Sequence, residues 1–389
     1  MSASLRVAML IPDNRDEFRC YDKAEPFFGP APTALLEGLA QEPDIELHVI
    51  SCAREPLAAP TQLARNIFFH LLHVRHGESL RSLYLASVLA IRKKLRAIRP
   101  ALVHGQGTER YCALAAAMSS FPNLVTLHGI MRGMARITDA RPGSFYWCNA
   151  HLESFVLKRT GGVLCNSAYT EAMVRNVARK RWRVPNALRS LFFSRNQMRE
   201  RNSIPILLNI GTVEPHKRQV ELFEMCERLF TNGYRFEIQF IGTVLSENAY
   251  GLEFKARIAD ARGFARYLEP KSDEELLGHF DQADALIHFS REESFGLVVA
   301  EALARNQKLF STRVGGIPDI ASGVELAELF DPDDLSELAA SVGRWIEQDF
   351  PKPTTAALEM QKRYHPKVIA ARHMEIYREL LAAETRRRV

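Results

Sequence analysis

At 389 residues, with 47% hydrophobic and 25% charged residues, the sequence is long enough for two domains and has a globular composition, which excludes the disordered and fibrous classes. No window approaches the roughly 18 uncharged apolar residues that a membrane span needs, and the apolar stretch from Met1 to Ile11 is too short for a secretory signal. The net charge of +5 is uneven, +11 over residues 1–200 and −6 over residues 201–389, so we expect the first half to face a membrane surface, a nucleic acid or an acidic substrate.

Short apolar runs rich in β-branched residues alternate with helical stretches along the chain. The predicted strands of the first half are Leu5–Ile11, Ile45–Ile50, Ala101–His104, Leu124–Leu127 and Gly162–Cys165, with predicted helices at Thr33–Ala40 and Leu83–Ile98. The predicted strands of the second half are Ile206–Ile210, Phe236–Ile241, Ala265–Leu268, Ala285–Phe289 and Lys308–Ser311. Two sets of parallel strands with crossover helices predict two doubly wound, Rossmann-like α/β domains. A linker is expected from Val184 to Asn202.

The loop after the predicted strand Ala285–Phe289 is the most informative, because ligands of open α/β sheets bind beyond the carboxyl ends of the strands. A helix is expected to begin near Gly296, and its first amide groups and dipole favour an anion such as a diphosphate. Glu293 and Glu301 lie eight residues apart, where their carboxylates could accept hydrogen bonds from a hexose and a ribose. The spacing alone is explained as well by a helix cap and a solvated helical residue.

The segment from Glu293 to Asp319 resembles the E-x7-E signature of the family 4 retaining glycosyltransferases. Other segments resemble elements of that family in the same order: Val103–Gly105, Thr126–Gly129, Val184–Asn186, Asn209–Lys217 and Tyr364–Pro366. The resemblance implies the α/β fold class called GT-B, in which two Rossmann-like domains face a deep interdomain cleft. It places an acceptor-binding domain at residues 1–190, with a C-terminal helix at 370–389 packed on it, and a donor-binding domain at residues 200–369.

The resemblance further implies a metal-independent retaining glycosyltransferase that needs no cofactor. It would move a hexose-type sugar from a nucleotide-diphosphate sugar, a UDP-sugar by preference and GDP-mannose next, to a glycan, lipid-linked or other cell-envelope acceptor. The catalytic residues carried over from the family are His128, Lys217 and Glu293. The expected donor-binding residues are Gly29, Gly211, Lys217, Arg218, Ser294, Phe295, Gly296, Leu297 and Glu301.

These residues are expected to play distinct roles. Lys217 and the helix start would stabilise the leaving diphosphate. Many members of the family have an arginine where this chain has Thr212, so the diphosphate would depend on Lys217, with His216 or Arg218 as helpers. His128 would hydrogen-bond a sugar hydroxyl or, as a cation, offset phosphate charge. Gly29 would let the backbone approach a phosphate, or is a turn glycine.

Two alternatives belong to other functional classes. One is a sugar-nucleotide epimerase of the GT-B fold, which would use Asp13, Asp16 and Glu17 as acid and base groups. The other is a non-catalytic partner subunit that binds a nucleotide sugar. The presence of both Glu293 and Lys217 favours an active enzyme over the second alternative.

Two basic stretches, Arg92–Arg99 and Arg175–Arg183, are either solvated helix faces or docking sites for an anionic membrane or a polyanionic acceptor. The residues from Leu83 to Ile91 would supply the apolar side of an amphipathic helix beside the first stretch. Six dispersed cysteines without C-x-x-C spacing are typical of reduced thiols, so we expect a cytoplasmic protein, peripheral on the inner face of the membrane if it docks. No nucleic-acid recognition motif accompanies the charge, and no such partner is expected. His70, His73 and His76 are near helical spacing and are expected to form a polar face rather than a metal site.

Overall fold

The structure is a computed structural model that describes residues 4–75, 80–194, 201–244, 248–261 and 263–388. The chain divides into two compact units. The first domain comprises Met1–Arg189 and Pro366–Val389, and the second domain comprises Ser190–His365. Part of the predicted linker, residues 195–200, lies outside the described residues.

The first domain is built on an eight-stranded sheet with the order β3-β4-β2-β1-β5-β6-β7-β8. All its neighbouring strands are parallel except β3 and β4, which are antiparallel. Its strands are β1 Leu5–Leu10, β2 Ile45–Ala53, β3 Gln62–Ala64, β4 Ile67–His73, β5 Leu102–Gln106, β6 Asn123–Leu127, β7 Val163–Cys165 and β8 Arg181–Arg183. The central strands are buried on both faces, which explains their continuous apolar sequences.

Helices cover both faces of this sheet. They are α1 Arg15–Phe18, α2 Pro30–Leu39, α3 Leu85–Ile98, α4 Tyr111–Ala117, α5 Met131–Ile137, α6 Phe145–Arg159, α7 Ala168–Val174 and the C-terminal helix Pro366–Arg388. Residues of α2 and the C-terminal helix form one hydrophobic core with the sheet, and residues of α3, α4 and α6 form a second core with it. The C-terminal helix begins at Pro366, earlier than the predicted residue 370.

The second domain is built on a parallel six-stranded sheet with the order β11-β10-β9-β12-β13-β14. Its strands are β9 Ile206–Ile210, β10 Glu237–Ile241, β11 Ala265–Leu268, β12 Ala285–His288, β13 Lys308–Thr312 and β14 Ala327–Phe330. Its helices are α8 Gln219–Thr231, α9 Ala249–Ala259, α10 Asp273–Gln282, α11 Leu297–Ala304, α12 Ile317–Ala321, α13 Leu335–Glu347 and α14 Ala356–Tyr364. Its core is rich in phenylalanine, with Phe264 in ring contact with three others.

Both sheets reverse their strand order at one place. In the first domain the reversal falls between β1 and β5, and in the second domain it falls between β9 and β12. The loops that leave such neighbouring strands diverge to opposite faces of the sheet and open a crevice, which is where ligands of this architecture bind. The crevice of the second domain therefore lies between the loops that follow Ile210 and His288.

Two sequence interpretations are corrected by the strands. His70 and His73 lie on β4, so their spacing is not that of a helix face, and His76 lies outside the described residues. The basic stretch Arg175–Arg183 ends in the edge strand β8 instead of forming a helix. Within β8 the Trp182 indole is buried, and Arg183 pairs with Glu171 at 2.8 Å.

Candidate functional site

The two loops at the crevice of the second domain are tied to each other. One runs from Gly211 to Arg218 after β9, and the other runs from Phe289 to Gly296 after β12. The amide of Arg291 donates a hydrogen bond to the carbonyl oxygen of His216 at 2.8 Å. This backbone link fixes the spacing of the loops and brings their polar side chains together.

Lys217 and Glu293 meet where these loops meet. The Lys217 Nζ atom lies 2.5 Å from Glu293 Oε2, and His288 Nε2 lies 3.1 Å from the same oxygen. The Ser290 hydroxyl lies 3.2 Å from His288 Nε2. Lys217 and Glu293 remain partly exposed, so a ligand can reach the ion pair. His288 and Ser290, which hold Glu293 from behind, are buried.

The charges of this group follow from its surroundings. Burial by itself raises the pKa of Glu293, but the charge of Lys217 and the hydrogen bond with His288 outweigh it and hold that pKa well below its usual range. Burial lowers the pKa of His288, and burial with the charge of Lys217 lowers the pKa of His216. At neutral pH Glu293 is therefore a carboxylate, and the His288 and His216 imidazoles are neutral.

A glycine loop after β13 holds the backbone of Glu293 in place. The amide of Gly316 donates to the Glu293 carbonyl oxygen at 2.9 Å. A Cβ atom on Gly315, whose φ is +55°, would lie 1.6 Å from the same oxygen. Gly296 has a φ of +99°, which turns the chain from the Glu293 loop into α11. Close packing therefore requires the glycine at position 315, and the positive φ favours the glycine at position 296.

The other predicted donor residues lie along this turn and the helix that follows it. Ser294 and Leu297 are partly exposed, and Phe295 is buried with its ring edge-on to Tyr364. Leu297 begins α11, and its amide and that of Val298 precede the first bonds of the helix, in which the Val299 and Ala300 amides donate to the Gly296 carbonyl oxygen. Glu301 lies on the same helix and is partly exposed.

Gly211 and Arg218 stand at the two ends of the β9 loop. Gly211, with a φ of +148°, follows β9 directly. Arg218 is buried beneath α8, where its guanidinium lies 5.0 Å from the Phe289 ring and donates to the Pro332 carbonyl oxygen. These contacts leave Lys217 as the cation beside Glu293.

In the first domain, His128 follows β6 and belongs to a buried hydrogen-bonded chain. His128 Nε2 lies 2.9 Å from Gln106 Oε1, and Gln106 Nε2 lies 3.3 Å from His104 Nε2. His104 Nδ1 lies 2.7 Å from the Tyr377 hydroxyl, which comes from the C-terminal helix. The Asn186 side chain also hydrogen-bonds His128. The imidazole is thus held in one orientation.

His128 is a neutral group at neutral pH. Burial lowers its pKa to about 4, although the hydrogen bond with Asn186 opposes that shift. A neutral imidazole can donate or accept a hydrogen bond but cannot offset phosphate charge. Of the two roles predicted for His128, its neutral state is compatible with hydrogen bonding and not with the cationic role.

Glu153 is a residue that the sequence did not single out. It lies fully buried on α6, where Oε2 accepts hydrogen bonds from the Thr108 hydroxyl at 2.8 Å and the Met131 amide at 3.0 Å. These bonds connect α6 to the loop after β5 and to the segment that follows His128. Burial raises the pKa of Glu153.

Gly29 precedes α2 with a φ of −64°, a conformation open to any residue. A Cβ atom there would meet only Pro32 Cδ, at 3.8 Å. Neither local strain nor close packing in this chain explains the glycine.

The acidic residues of the epimerase alternative hold the loop after β1. Asp13 forms a fully buried ion pair with Arg15 at 2.7 Å, Asp16 accepts from the Arg54 amide at 2.7 Å, and Glu17 pairs with Arg110. These ties give the three carboxylates a structural role.

The described part of the chain contains no cluster of three or more His, Cys, Asp and Glu residues arranged to hold a metal ion. Among the described helices, none has the length and apolar character needed to cross a membrane.

The structure thus brings Lys217, Glu293, Gly296 and the start of α11 together, and it places His128 and Gly29 in the first domain. Sequence reasoning gave no role to the residues that orient them: His288, Ser290, Gln106, His104 and Glu153. Each lies on a buried strand end or helix, where a lone polar residue gives no recognisable spacing.

Two family profiles match the chain and together span most of it. The family described as Glycosyltransferase Family 4 matches residues 33–187, and the family described as Glycosyl transferases group 1 matches residues 192–365. Curated relatives are similar over shorter segments. The D-inositol 3-phosphate glycosyltransferase of Corynebacterium jeikeium is 38% identical over 84 residues, 22% of this chain and 20% of that protein. That of Geodermatophilus obscurus is 30% identical over 148 residues, 35% of this chain and 33% of that protein. The chain thus matches no more than about a third of these relatives' length.

Solved structures match over nearly the whole chain. The sucrose-phosphate synthase of Thermosynechococcus elongatus has a TM-score of 0.78 at 17% identity and covers 97% of this chain and 100% of its own. The Anabaena protein Alr3699/HepE, solved with UDP and glucose, has a TM-score of 0.70 at 15% identity and covers 96% of this chain and 100% of its own. These likenesses show that the chain has the GT-B fold, as the sequence predicts.

Proposed function

The chain belongs to family 4 of the GT-B glycosyltransferases, and we propose that it transfers a hexose-type sugar from a nucleotide-diphosphate sugar to an acceptor. The observation that carries the proposal is the ion pair of Lys217 and Glu293, 2.5 Å apart at the crevice of the second domain and beside the start of α11. A cation and a helix N-terminus suit a diphosphate, and a carboxylate beside them suits sugar hydroxyls.

The ion pair gives donor binding a definite first step. Without a donor, the Lys217 ammonium is neutralised by the Glu293 carboxylate. A donor diphosphate carries more negative charge than a carboxylate, so Lys217 leaves Glu293 and pairs with the diphosphate. The Glu293 carboxylate then accepts hydrogen bonds from the sugar while the His288 imidazole continues to hold it. Glu301, on α11, binds the ribose.

The chemical step requires the diphosphate to leave while positive charge builds on the anomeric carbon. Lys217 and the first amides of α11 stabilise the leaving group electrostatically, and they supply this charge without a metal ion. We propose that the new bond forms on the face from which the diphosphate departs, so that the configuration is retained, with the leaving phosphate taking the acceptor proton. The neutral His128 contacts a hydroxyl of the transferred sugar.

The acceptor is proposed to bind the first domain and to be a glycan, a lipid-linked sugar or another cell-envelope molecule. Residues 51–200 hold 23 Lys and Arg against 7 Asp and Glu, which favours an acceptor that carries negative charge or lies at an anionic membrane surface. The names of the curated relatives, glycosyltransferases of D-inositol 3-phosphate, fit a phosphate-bearing acceptor. A UDP-sugar is the preferred donor and GDP-mannose the next, and the UDP bound to the Anabaena structure supports the first.

Calorimetric titration with UDP, GDP and ADP, and with sugars of each, tests the donor proposal. One nucleotide should bind in the absence of added metal. Glu301→Ala should weaken that binding by roughly 1–3 kcal/mol, the cost of a lost hydrogen bond to a charged group. Glu274→Ala, which removes an exposed carboxylate of the same domain, is the matched control and should leave affinity unchanged. Absence of binding by all three nucleotides would contradict the proposal.

A further inference from the structure

The outer side of α6 carries aromatic and basic side chains that the sugar chemistry does not use. Its exposed residues recur every three or four positions, which places them on one side of the helix: Trp147, His151, Phe155, Lys158 and Arg159. The Trp147 and His151 rings lie 4.0 Å apart, and the Arg159 guanidinium lies 4.8 Å from the Phe155 ring. We call these five residues the α6 stripe.

The inner side of α6 already fills its place in the domain. Asn149, Glu153, Val156 and Leu157 are buried, and Val156 belongs to the core formed with α3 and α4. The α6 stripe is therefore not a core face left open. Single exposed apolar side chains are common, but a contiguous exposed patch of aromatic side chains marks a surface that contacts another molecule.

Neighbouring elements extend the same chemistry. Ile137, at the end of α5, and Phe145, at the start of α6, are exposed, and so are Arg136 and Arg141. Between residues 131 and 159 the acidic residues are the exposed Asp139 and the buried Glu153. The region around the α6 stripe is thus apolar and positively charged together.

The helix α3 lies on the same face of the sheet, since α3 and α6 share one core with α4 between them. It buries Val88, Ile91 and Leu95 and exposes Leu85 and Leu89. Five Lys and Arg residues follow within Arg92–Arg99, and residues 85–99 include no Asp or Glu. Both helices thus present apolar and cationic side chains on the side away from the sheet.

We propose that this face of the first domain, with the α6 stripe at its centre, docks on an anionic lipid bilayer. Tryptophan and phenylalanine partition into the membrane interface, and each Lys or Arg near an anionic surface adds attraction that salt weakens. Charge complementarity with phosphate headgroups accounts for the cations, and the acyl-chain boundary accounts for the exposed rings.

The docking face is connected to the segment of the predicted catalytic histidine. Glu153, on the inner side of α6, holds the Met131 amide, and Met131 begins α5 shortly after His128. The helix that meets the bilayer therefore also positions the segment that carries His128. A lipid-linked acceptor is the class that fits this arrangement; that part of the inference rests on the proposed transferase function, whereas docking itself does not.

Tryptophan fluorescence reports on the α6 stripe directly. Trp147 is 36% exposed, whereas Trp182 and Trp345 are 8% and 3% exposed, so Trp147 is the tryptophan that can enter a bilayer. The full chain is mixed with vesicles of phosphatidylglycerol and phosphatidylcholine in equal parts, without donor or acceptor. We expect emission to shift to shorter wavelength, brominated acyl chains to quench it, and Trp147→Phe to abolish both changes.

Sedimentation with the same vesicles measures affinity. The double variant Phe145→Ala, Phe155→Ala should bind about tenfold more weakly. The matched control Leu252→Ala, Leu358→Ala removes two exposed apolar side chains of the second domain and should bind like the unmodified chain. High salt, or vesicles of phosphatidylcholine alone, should weaken binding.

Absence of sedimentation at low salt would overturn the proposal. Sedimentation without a change in Trp147 emission would also overturn it, because another surface would then be responsible. If the chain binds vesicles but transfers no sugar, the docking proposal is supported and the proposed transferase function is contradicted.

Discussion

At the scale of single residues, Lys217 and Glu293 each serve two states of the site. In the ligand-free chain they neutralise each other, which allows a carboxylate to remain charged in a largely buried place. In the proposed complex the same charges face a diphosphate and a sugar. The buried His288 belongs to both states, since its hydrogen bond with Glu293 does not depend on the donor.

Lys217→Ala should therefore reduce turnover by about 10²-fold or more, the typical effect of removing a donor that stabilises developing negative charge. The matched control is Lys255→Ala, which removes an exposed lysine from α9 of the same domain and should leave turnover unchanged. Steady-state kinetics with the donor found by calorimetry measures both. Turnover of Lys217→Ala within a few-fold of the unmodified enzyme would assign the role to His216 or Arg218.

Gly315→Ala should misplace Glu293 without touching any ligand. The new Cβ would lie 1.6 Å from the Glu293 carbonyl oxygen, so the loop must move. We expect transfer to fall by more than about tenfold, because small displacements at a reacting centre cost that much. The control Gly278→Ala, on α10 where a Cβ meets no atom within 4 Å, should retain activity. Equal activity of the two variants would show that this loop does not position Glu293.

At the scale of elements, the loops of the second domain could be predicted from the sequence, but the buried residues that hold them in place could not. Glu293, Gly296 and Glu301 follow a buried strand at recognisable spacing, so their loop and helix could be placed from the sequence. His288 is a single polar residue at the end of an apolar strand, and nothing local distinguishes it from a core histidine. The α6 stripe was not predicted, because aromatic residues at helical spacing are typical of a face that packs on the core. The structure shows that the opposite face of α6 is the buried one.

The helix α3 shows the same limit. Its apolar stripe was expected to act as one face, but the sheet buries Val88 and Ile91 and leaves Leu85 and Leu89 in solvent. Residues one turn apart on a helix share a face. How wide a face of α3 contacts the core depends on the packing of α4, which the local sequence does not specify. Tertiary packing therefore decided which leucines are exposed.

Three buried histidines of the first domain, one of them on the C-terminal helix, should make the stability of the chain sensitive to mild acid. Burial lowers the pKa of His373, on this helix, and of His128 to about 4, and it lowers the pKa of His104 well below 6.5. The unfolded chain takes up protons near pH 6.5 and the folded chain does not. Stability is therefore complete above that pH and is lost as the pH falls toward about 4, at about 1.4 kcal/mol per pH unit for each group.

Urea unfolding at pH 7.5 and pH 5 measures this loss. His373→Asn should reduce the pH dependence by one group's share, whereas His151→Asn, which replaces an exposed histidine of α6, should not. Unfolding free energies that agree between the two pH values would show that the buried histidines are protonated in the folded chain.

At the scale of the whole molecule, the two domains differ in charge as their proposed tasks require. The half that carries the proposed docking face holds a net charge of +11, and the half that carries the Lys217–Glu293 site holds −6. A uniformly basic protein would attract the anionic donor and the anionic surface without distinction. In the proposed site of the second domain, the cation paired with Glu293 is Lys217.

The most direct test of the proposed sugar transfer is proton NMR of nucleotide sugars incubated with the full chain. UDP-glucose, UDP-N-acetylglucosamine and GDP-mannose are followed separately, with water or a simple alcohol as acceptor. The proposed mechanism predicts that one donor releases its nucleoside diphosphate without added metal and that the sugar first appears with the donor's own anomeric configuration. It also predicts that Lys217→Ala removes the signal. An isomerised nucleotide sugar, a product of inverted configuration, or release that persists in Lys217→Ala would contradict it.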